Sequence, residues 1–195
     1  MEERKYQSKY KRVGQRYDRK DAGEKVTGQA IYTYDLEFPG MLHARCLLSP
    51  YARAKIVSID TSKAKALPGV RAILTGEDSD ILVGLYMQDK RVFSKGETRY
   101  QGDVVAAVAA EDEETAERAV SLIEVVYEPL TPVHDVDEAL QGDILVHDDI
   151  NDLKHYVGVF FPQKDSNIAS WNKSKKGDLD TAFAESDLVV ENDFS

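Results

Sequence analysis

The stretch from Asp103 to Tyr127 restricts the fold more than any other part of the chain. It opens on DVVAAVAA, apolar at consecutive positions, the pattern of a strand buried on both faces. Asp112 follows as a helix N-cap, and Glu113 and Glu114 place negative charge at the positive end of that helix. Ala116, Ala119, Val120 and Ile123 then recur at i, i+3, i+4 and i+7, one apolar stripe. Glu124 to Tyr127 reads as a second strand. Strand, helix and strand at this length predict a βαβ unit, two parallel strands joined by a right-handed crossover. The small alanines leave room for the helix to lie close, so a large residue at Ala107 is expected to overpack the contact.

The rest of the chain reads as short strands and turns. Gln29 to Leu36 alternates, with Ala30, Tyr32 and Tyr34 on one side, which is strand spacing. After the Pro39-Gly40 turn, Met41 to Leu48 is a strand, and Ala54 to Ile59 another. Asp60 or Thr61 caps a short helix, Ser62 to Leu67, which Pro68-Gly69 stops. Val70 to Leu74 is a strand. Pro129 and Pro132 break the strand from Glu124. Val136 to Leu140 is a helical turn, and Gln141 to Lys176 is loop-like. Asp178 caps a helix from Leu179 to Glu185, and a strand is expected from Leu188. The fold class is α/β with α+β character: a mixed sheet, a βαβ unit and two or three helices. Three parts are expected: an arm at 1–24, a main domain at 25–140, and a linker at 141–195 that opens a further domain.

Charge is uneven. Residues 1–25 carry nine Lys/Arg against five Asp/Glu, whereas 111–152 carry fourteen Asp/Glu against Arg118 alone. An acidic body is a poor ligand for a phosphate backbone, so nucleic acid is not an expected partner. The basic arm, with Tyr6, Tyr10 and Tyr17 between its cations, reads as a solvated leader or a segment lying on a partner protein. The start MEERKYQSKYKR has no apolar core of a secretory signal, and no stretch reaches the roughly 18 apolar residues of a membrane span. The expected compartment is the cytoplasm, with no membrane partner.

One cysteine, Cys46, excludes an internal disulfide, an iron–sulfur cluster and a cysteine zinc site. It sits in an apolar run and is expected to be buried. His147 and His155 in HDDINDLKH are eight apart. That spacing fits neither a helical i, i+4 pair nor a zinc finger, and Asp148, Asp149 and Asp152 lack the EF-hand pattern. A solvated acidic loop is the reading. His43 is expected to be half-buried on its strand, and His134-Asp135 to cap the following turn. No GxGxxG, Walker A or GxSxG occurs, and Ser49, Ser58, Ser62, Ser79 and Ser94 lack a patterned base.

Four blocks, in order, resemble one family. They are KVTGQAIYTYDLEFPGMLHARCLLSPYARAKIVSID, then SPYARAKIVSIDTSKAKALPGVRAILTGED, then TRYQGDVVAAVAAEDEETAERAVSLIEVVYEPLTPVHDVDEAL, then GDLDTAFAESDLVVE. Together they are similar to the opening of the molybdenum-binding subunit of the xanthine dehydrogenase/aldehyde oxidase family. The resemblance implies the α/β hammerhead fold over 25–140 and the start of the molybdenum-binding domain after it. It implies a complete enzyme that hydroxylates an N-heterocycle or an aldehyde, as in purine catabolism, with oxygen from water. Such an enzyme uses a molybdopterin cofactor, [2Fe-2S] clusters and FAD. Its expected partners are the remainder of the molybdenum subunit and the iron–sulfur and FAD subunits or domains. The family's cofactor loops and base glutamate fall beyond this stretch, so no catalytic, cofactor-binding or metal residue is assigned here. The chain alone is expected to be inactive, and the face that meets the rest of the subunit to favour self-association. The alternative is a stand-alone scaffold or interaction module with the same fold.

Overall fold

The computed structural model describes residues 11–14, 16–147, 150, 153, 158, 160–192 and 194. The chain divides into two units, Met1–Met41 and Leu42–Ser195. The first contains a single-turn helix, α1 (Ala22–Val26), and a 3-10 turn at Thr33–Asp35. The strand expected over Gln29 to Leu36 does not form. The Asp35 amide donates to the Tyr32 carbonyl at 3.0 Å, and the Asp35 carboxylate accepts from the Tyr32 amide at 2.8 Å. A short polar side chain here offers the backbone a local alternative to a strand ladder. Val26, Ile31, Tyr34 and Phe38 remain exposed.

The second unit begins with β1 (His43–Leu48), β2 (Ala54–Asp60), α2 (Ser62–Lys65) and β3 (Val70–Thr75). Three two-residue strands follow: β4 (Leu82–Val83), β5 (Lys90–Arg91) and β6 (Glu97–Thr98). Then come β7 (Val104–Ala110), α3 (Glu113–Ser121), β8 (Glu124–Pro129), α4 (Val136–Gln141) and α5 (Leu179–Ala184). Element positions therefore agree closely with the sequence reading from Met41 to Gln141.

The pairing does not. One sheet has the order β1-β7-β3 and another β6-β2-β8, with β4 and β5 forming a separate hairpin. Among the described residues every pair is antiparallel. The parallel βαβ unit is thus corrected, and with it the mixed sheet. Both edges of β7 are occupied, by β1 and by β3, so no edge remains for β8. α3 instead carries the chain across to the second sheet, where β8 pairs with β2 from Asp60↔Glu124 to Ala54↔Pro129.

The core sits where α3 covers β7 and β1, with α2 packed against α3 and β3. Ala64, Ala106, Val108, Ala119 and Ile123 are buried together, with Leu47, Ile73 and Val125 packed around them. Alanine on both helices and on the strand lets the backbones approach closely. Burying the larger members, Val108 and Ile123, contributes roughly 1.5–3 kcal/mol each. β7 is apolar on both sides as expected, and Val105, on its opposite face, is fully buried. The helix-facing alanine is Ala106 rather than Ala107, which is only partly buried. Cys46 lies opposite Ala107 on that same outer face and is exposed, contrary to expectation. Side chains alternate across a strand, so a phase one residue out inverts which group is buried.

The Ser49 hydroxyl donates to the Thr98 hydroxyl at 3.1 Å, and the Thr98 hydroxyl donates to the Ala54 carbonyl at 3.3 Å. Ser49 and Thr98 are buried, so this chain ties the end of β1 to the second sheet. Asp178 caps α5 as expected. The strand expected from Leu188 is not formed among the described residues, and Leu188, Val189 and Val190 are exposed.

Candidate functional site

The sequence candidates do not converge. His43 is half-buried on β1, as expected. Asp135 accepts from the Glu138 amide at 2.8 Å and Glu138 accepts from the His134 amide at 3.1 Å, so that pair caps α4. His155, Asp148, Asp149 and Asp152 lie outside the described residues, as do Tyr6 and Tyr10. Among the described residues no three His, Cys, Asp or Glu side chains are grouped to hold a metal ion.

His147 does reach a concave place. A cavity of about 260 Å³ is lined by Asp89, Lys90, Arg91, Ser94, Glu97, Arg99, Tyr100, Asp103, Val146 and His147. Three segments build it: the β4–β5 hairpin, the β6–β7 turn, and the strip after α4. The hairpin depends on Gly84, whose φ is +154°; a Cβ there would stand 1.7 Å from the Met87 carbonyl oxygen. Only glycine allows that approach. The Ser94 amide donates to the Val104 carbonyl at 2.7 Å, which anchors the cavity floor to β7.

The third segment is held by one amide side chain. Asn167 Oδ1 accepts from the Val146 amide at 2.8 Å, while its Nδ2 donates to the carbonyls of Ala139 (3.0 Å) and Ile144 (2.8 Å). Arg99 Nε then donates to the Val146 carbonyl at 2.8 Å. Side-chain bonds thus fix a loop that has no ladder of its own.

Charge in the cavity is mostly matched, but unequally. Glu97 is bound from behind by Arg53 at 2.7 Å, a pair largely shielded from water. Asp103 accepts from the amides of Arg99 (3.2 Å) and Val104 (3.1 Å). His147 Nε2 stands 3.6 Å from Asp89. Arg91 meets the exposed Asp80 at 3.4 Å. The Lys90 ammonium lies 5.2 Å from the centre of the Tyr100 ring. A hydrogen bond to Tyr100 pushes the Lys90 pKa up against the opposing effect of burial, and the nearby charges of Asp103 and Asp89 add to the rise. Lys90 is therefore a cation at neutral pH.

Ser94 is the exception to this matching. It is 4 % exposed, and its hydroxyl has no hydrogen-bond partner among the described residues. A buried hydroxyl left unpaired is costly. Among the described residues no base holds it either. Lys90, Arg91, Arg99, Tyr100 and Asp103 were not singled out as a site by the sequence, because no spacing rule joins residues from separate turns. Arg99 and Tyr100 do stand inside the third block of the family resemblance.

A second concavity, a groove of about 470 Å³, runs between β2 and β3 past Ile56, Ser58, Ile73, Thr75 and Lys95. Lys95 is held there by Asp80 at 3.2 Å and Glu77 at 3.4 Å. The hydrogen bond and charge of Asp80, then the charge of Glu77, raise its pKa.

Residues 27–131 match the family model described as "Aldehyde oxidase and xanthine dehydrogenase, a/b hammerhead domain". The chain is 39% identical over 176 residues to a probable xanthine dehydrogenase component of Bacillus subtilis, covering 89% of this chain and 22% of that protein. It is 37% identical to the carbon monoxide dehydrogenase large chain of Afipia carboxidovorans, covering 86% and 21%. Among solved structures, quinoline 2-oxidoreductase from Pseudomonas putida 86 superposes with a TM-score of 0.60 at 36% identity, covering 67% of this chain and 18% of that one. Aldehyde oxidoreductase from Desulfovibrio gigas gives 0.61 at 28% identity, covering 69% and 16%. The chain spans about a fifth of the length of these relatives.

Proposed function

Because this chain belongs to the aldehyde oxidase and xanthine dehydrogenase family of molybdenum-dependent oxidoreductases, we propose that it serves as the N-terminal hammerhead portion of a xanthine dehydrogenase-like hydroxylase. The complete enzyme hydroxylates an N-heterocycle or an aldehyde in the cytoplasm, with purine catabolism as the setting. Its partners are the remainder of the molybdenum subunit and the iron–sulfur and FAD subunits or domains. Residues 1–24 form a basic arm, 25–140 the hammerhead, and 141–195 a linker into the molybdenum-binding domain. The single observation that carries this reading is the family match across residues 27–131.

The described residues do not fit the redox groups themselves. A [2Fe-2S] cluster takes four cysteine or histidine ligands, and one cysteine, exposed on β1, cannot supply that set. The cavity of about 260 Å³ falls below the roughly 300–1,000 Å³ of sites for drug-sized ligands. The larger groove is lined by the acidic Glu77 and Asp78, and Lys95 is already committed to acid partners. The role assigned to this chain is therefore support and positioning, without a redox step of its own.

The test is twofold. Reading the gene past codon 195 should show an open frame entering a glycine-rich, Gln-Glu-His-containing segment. Supplying the remaining molybdenum, iron–sulfur and flavin parts in trans with this chain should yield hydroxylase activity on a purine or an aldehyde. A stop at that codon, with no activity in any such mixture, favours the stand-alone scaffold and overturns the proposal.

A further inference from the structure

The cavity behind the β4–β5 hairpin brings together three cations and a buried hydroxyl that no protein group satisfies among the described residues. Its lining carries Lys90, Arg91 and Arg99 against Asp89, Glu97 and Asp103. Glu97 is neutralised from outside the lining by Arg53. Arg91 likewise meets Asp80 outside the lining, which leaves Lys90 and Arg99 beside Asp89 and Asp103, with neither cation hydrogen-bonded to a carboxylate among the described residues. The Arg99 guanidinium has only a neutral oxygen, the Val146 carbonyl, as its hydrogen-bond acceptor among the described residues. The Lys90 ammonium lies 5.2 Å from the centre of the Tyr100 ring rather than in an ion pair. Buried unpaired polar atoms are rare and point to a missing ligand or an ordered water.

We infer that this cavity is a binding site for one small oxyanion, a carboxylate or phosphate, held by Arg99 and Lys90 and by a hydrogen bond from the Ser94 hydroxyl. Guanidinium groups pair carboxylate and phosphate oxygens in a matching fork, which suits Arg99 to the task. The volume admits a ligand smaller than a drug-sized molecule, together with a few waters. The inference rests on this cavity alone and stands whatever the complete enzyme oxidises. Two sources offer the same chemistry: a free small anion, or an acidic side chain of a protein partner inserted into the cavity.

The experiment is an NMR titration of the full 195-residue chain with sodium acetate, inorganic phosphate and an acetylated, amidated tetraglutamate peptide, each against sodium chloride at matched ionic strength. Saturable shifts are expected at the amides of Ser94, Arg99 and Tyr100 and at Arg99 Nε–H. Saturation by acetate or phosphate at concentrations below those of the peptide identifies a free anion as the source; the reverse order identifies an acidic side chain. Ser94→Ala separates binding from structure. It removes an unpaired buried hydroxyl, so the thermal midpoint should hold or rise while anion affinity falls severalfold. Shifts that grow linearly and match those from chloride would overturn the inference. So would a Ser94→Ala variant that melts lower yet binds the anions unchanged.

Discussion

Asp112 shows what one side chain does at the start of an element. Its carboxylate accepts from the Thr115 amide at 2.7 Å and the Thr115 hydroxyl at 2.9 Å, closing the first turn of α3. Those two bonds, the backbone one first, lower its pKa below the usual carboxylate value, and the charges of His43 and Arg118 add slightly. A group whose folded pKa is depressed contributes stability that is present above its unfolded pKa and lost as pH falls through the folded one. Asp112→Ala should therefore lower the urea midpoint at neutral pH. The gap to the wild type should close as the pH is taken below the ordinary carboxylate range. A gap that stays constant into acid would show that the charge on the cap is irrelevant. This residue was legible from sequence because a cap acts on amides three positions away. Ser94 was not, since its lack of a partner among the described residues emerges only when distant segments have been placed.

At the scale of elements, β7 decides the architecture. Its two faces are both apolar, so composition foretold burial but not which alanine meets the helix. The structure places Ala106 with Ala119 in the core and Ala107 beside Cys46 on the outer face. Ala106→Leu should cost about 1–3 kcal/mol through overpacking. Ala107→Leu should cost markedly less. Equal losses in urea melts would contradict this facing. The β4–β5 hairpin makes a second, separate test. Gly84→Ala would set a methyl group against the Met87 carbonyl in a backbone region that side chains rarely adopt. The expected outcome is a local loss of amide-exchange protection at Lys90 and Arg91, with β7 and α3 unaffected. Protection unchanged at the hairpin would show that the turn tolerates a Cβ.

For the whole molecule, a single cysteine cannot supply the thiolates of an iron–sulfur cluster. The purified chain should show no visible absorption from a cluster or a flavin, and no turnover of purines or aldehydes. Visible absorption that persists through gel filtration, with stoichiometric iron or flavin, would contradict the supporting role. At this scale the family was legible before any coordinates, because its motifs lie within continuous blocks such as Arg99 to Tyr127. The cavity was not, since Lys90, Arg99 and Val146 meet only when three turns converge, and Asn167 clamps the third from farther along the chain.

Local information alone was enough for the strand at His43–Leu48, the capped helix at Glu113–Ser121 and the turn elements between them, because hydrophobic phase and caps act over a few residues. Strand partnership was a different matter. Whether β8 lies beside β7 depends on which edges β1 and β3 have already taken, a competition among segments far apart in the chain. Only the assembled sheets could settle that, and with it the face on which Cys46 sits and the side chains that enclose the cavity.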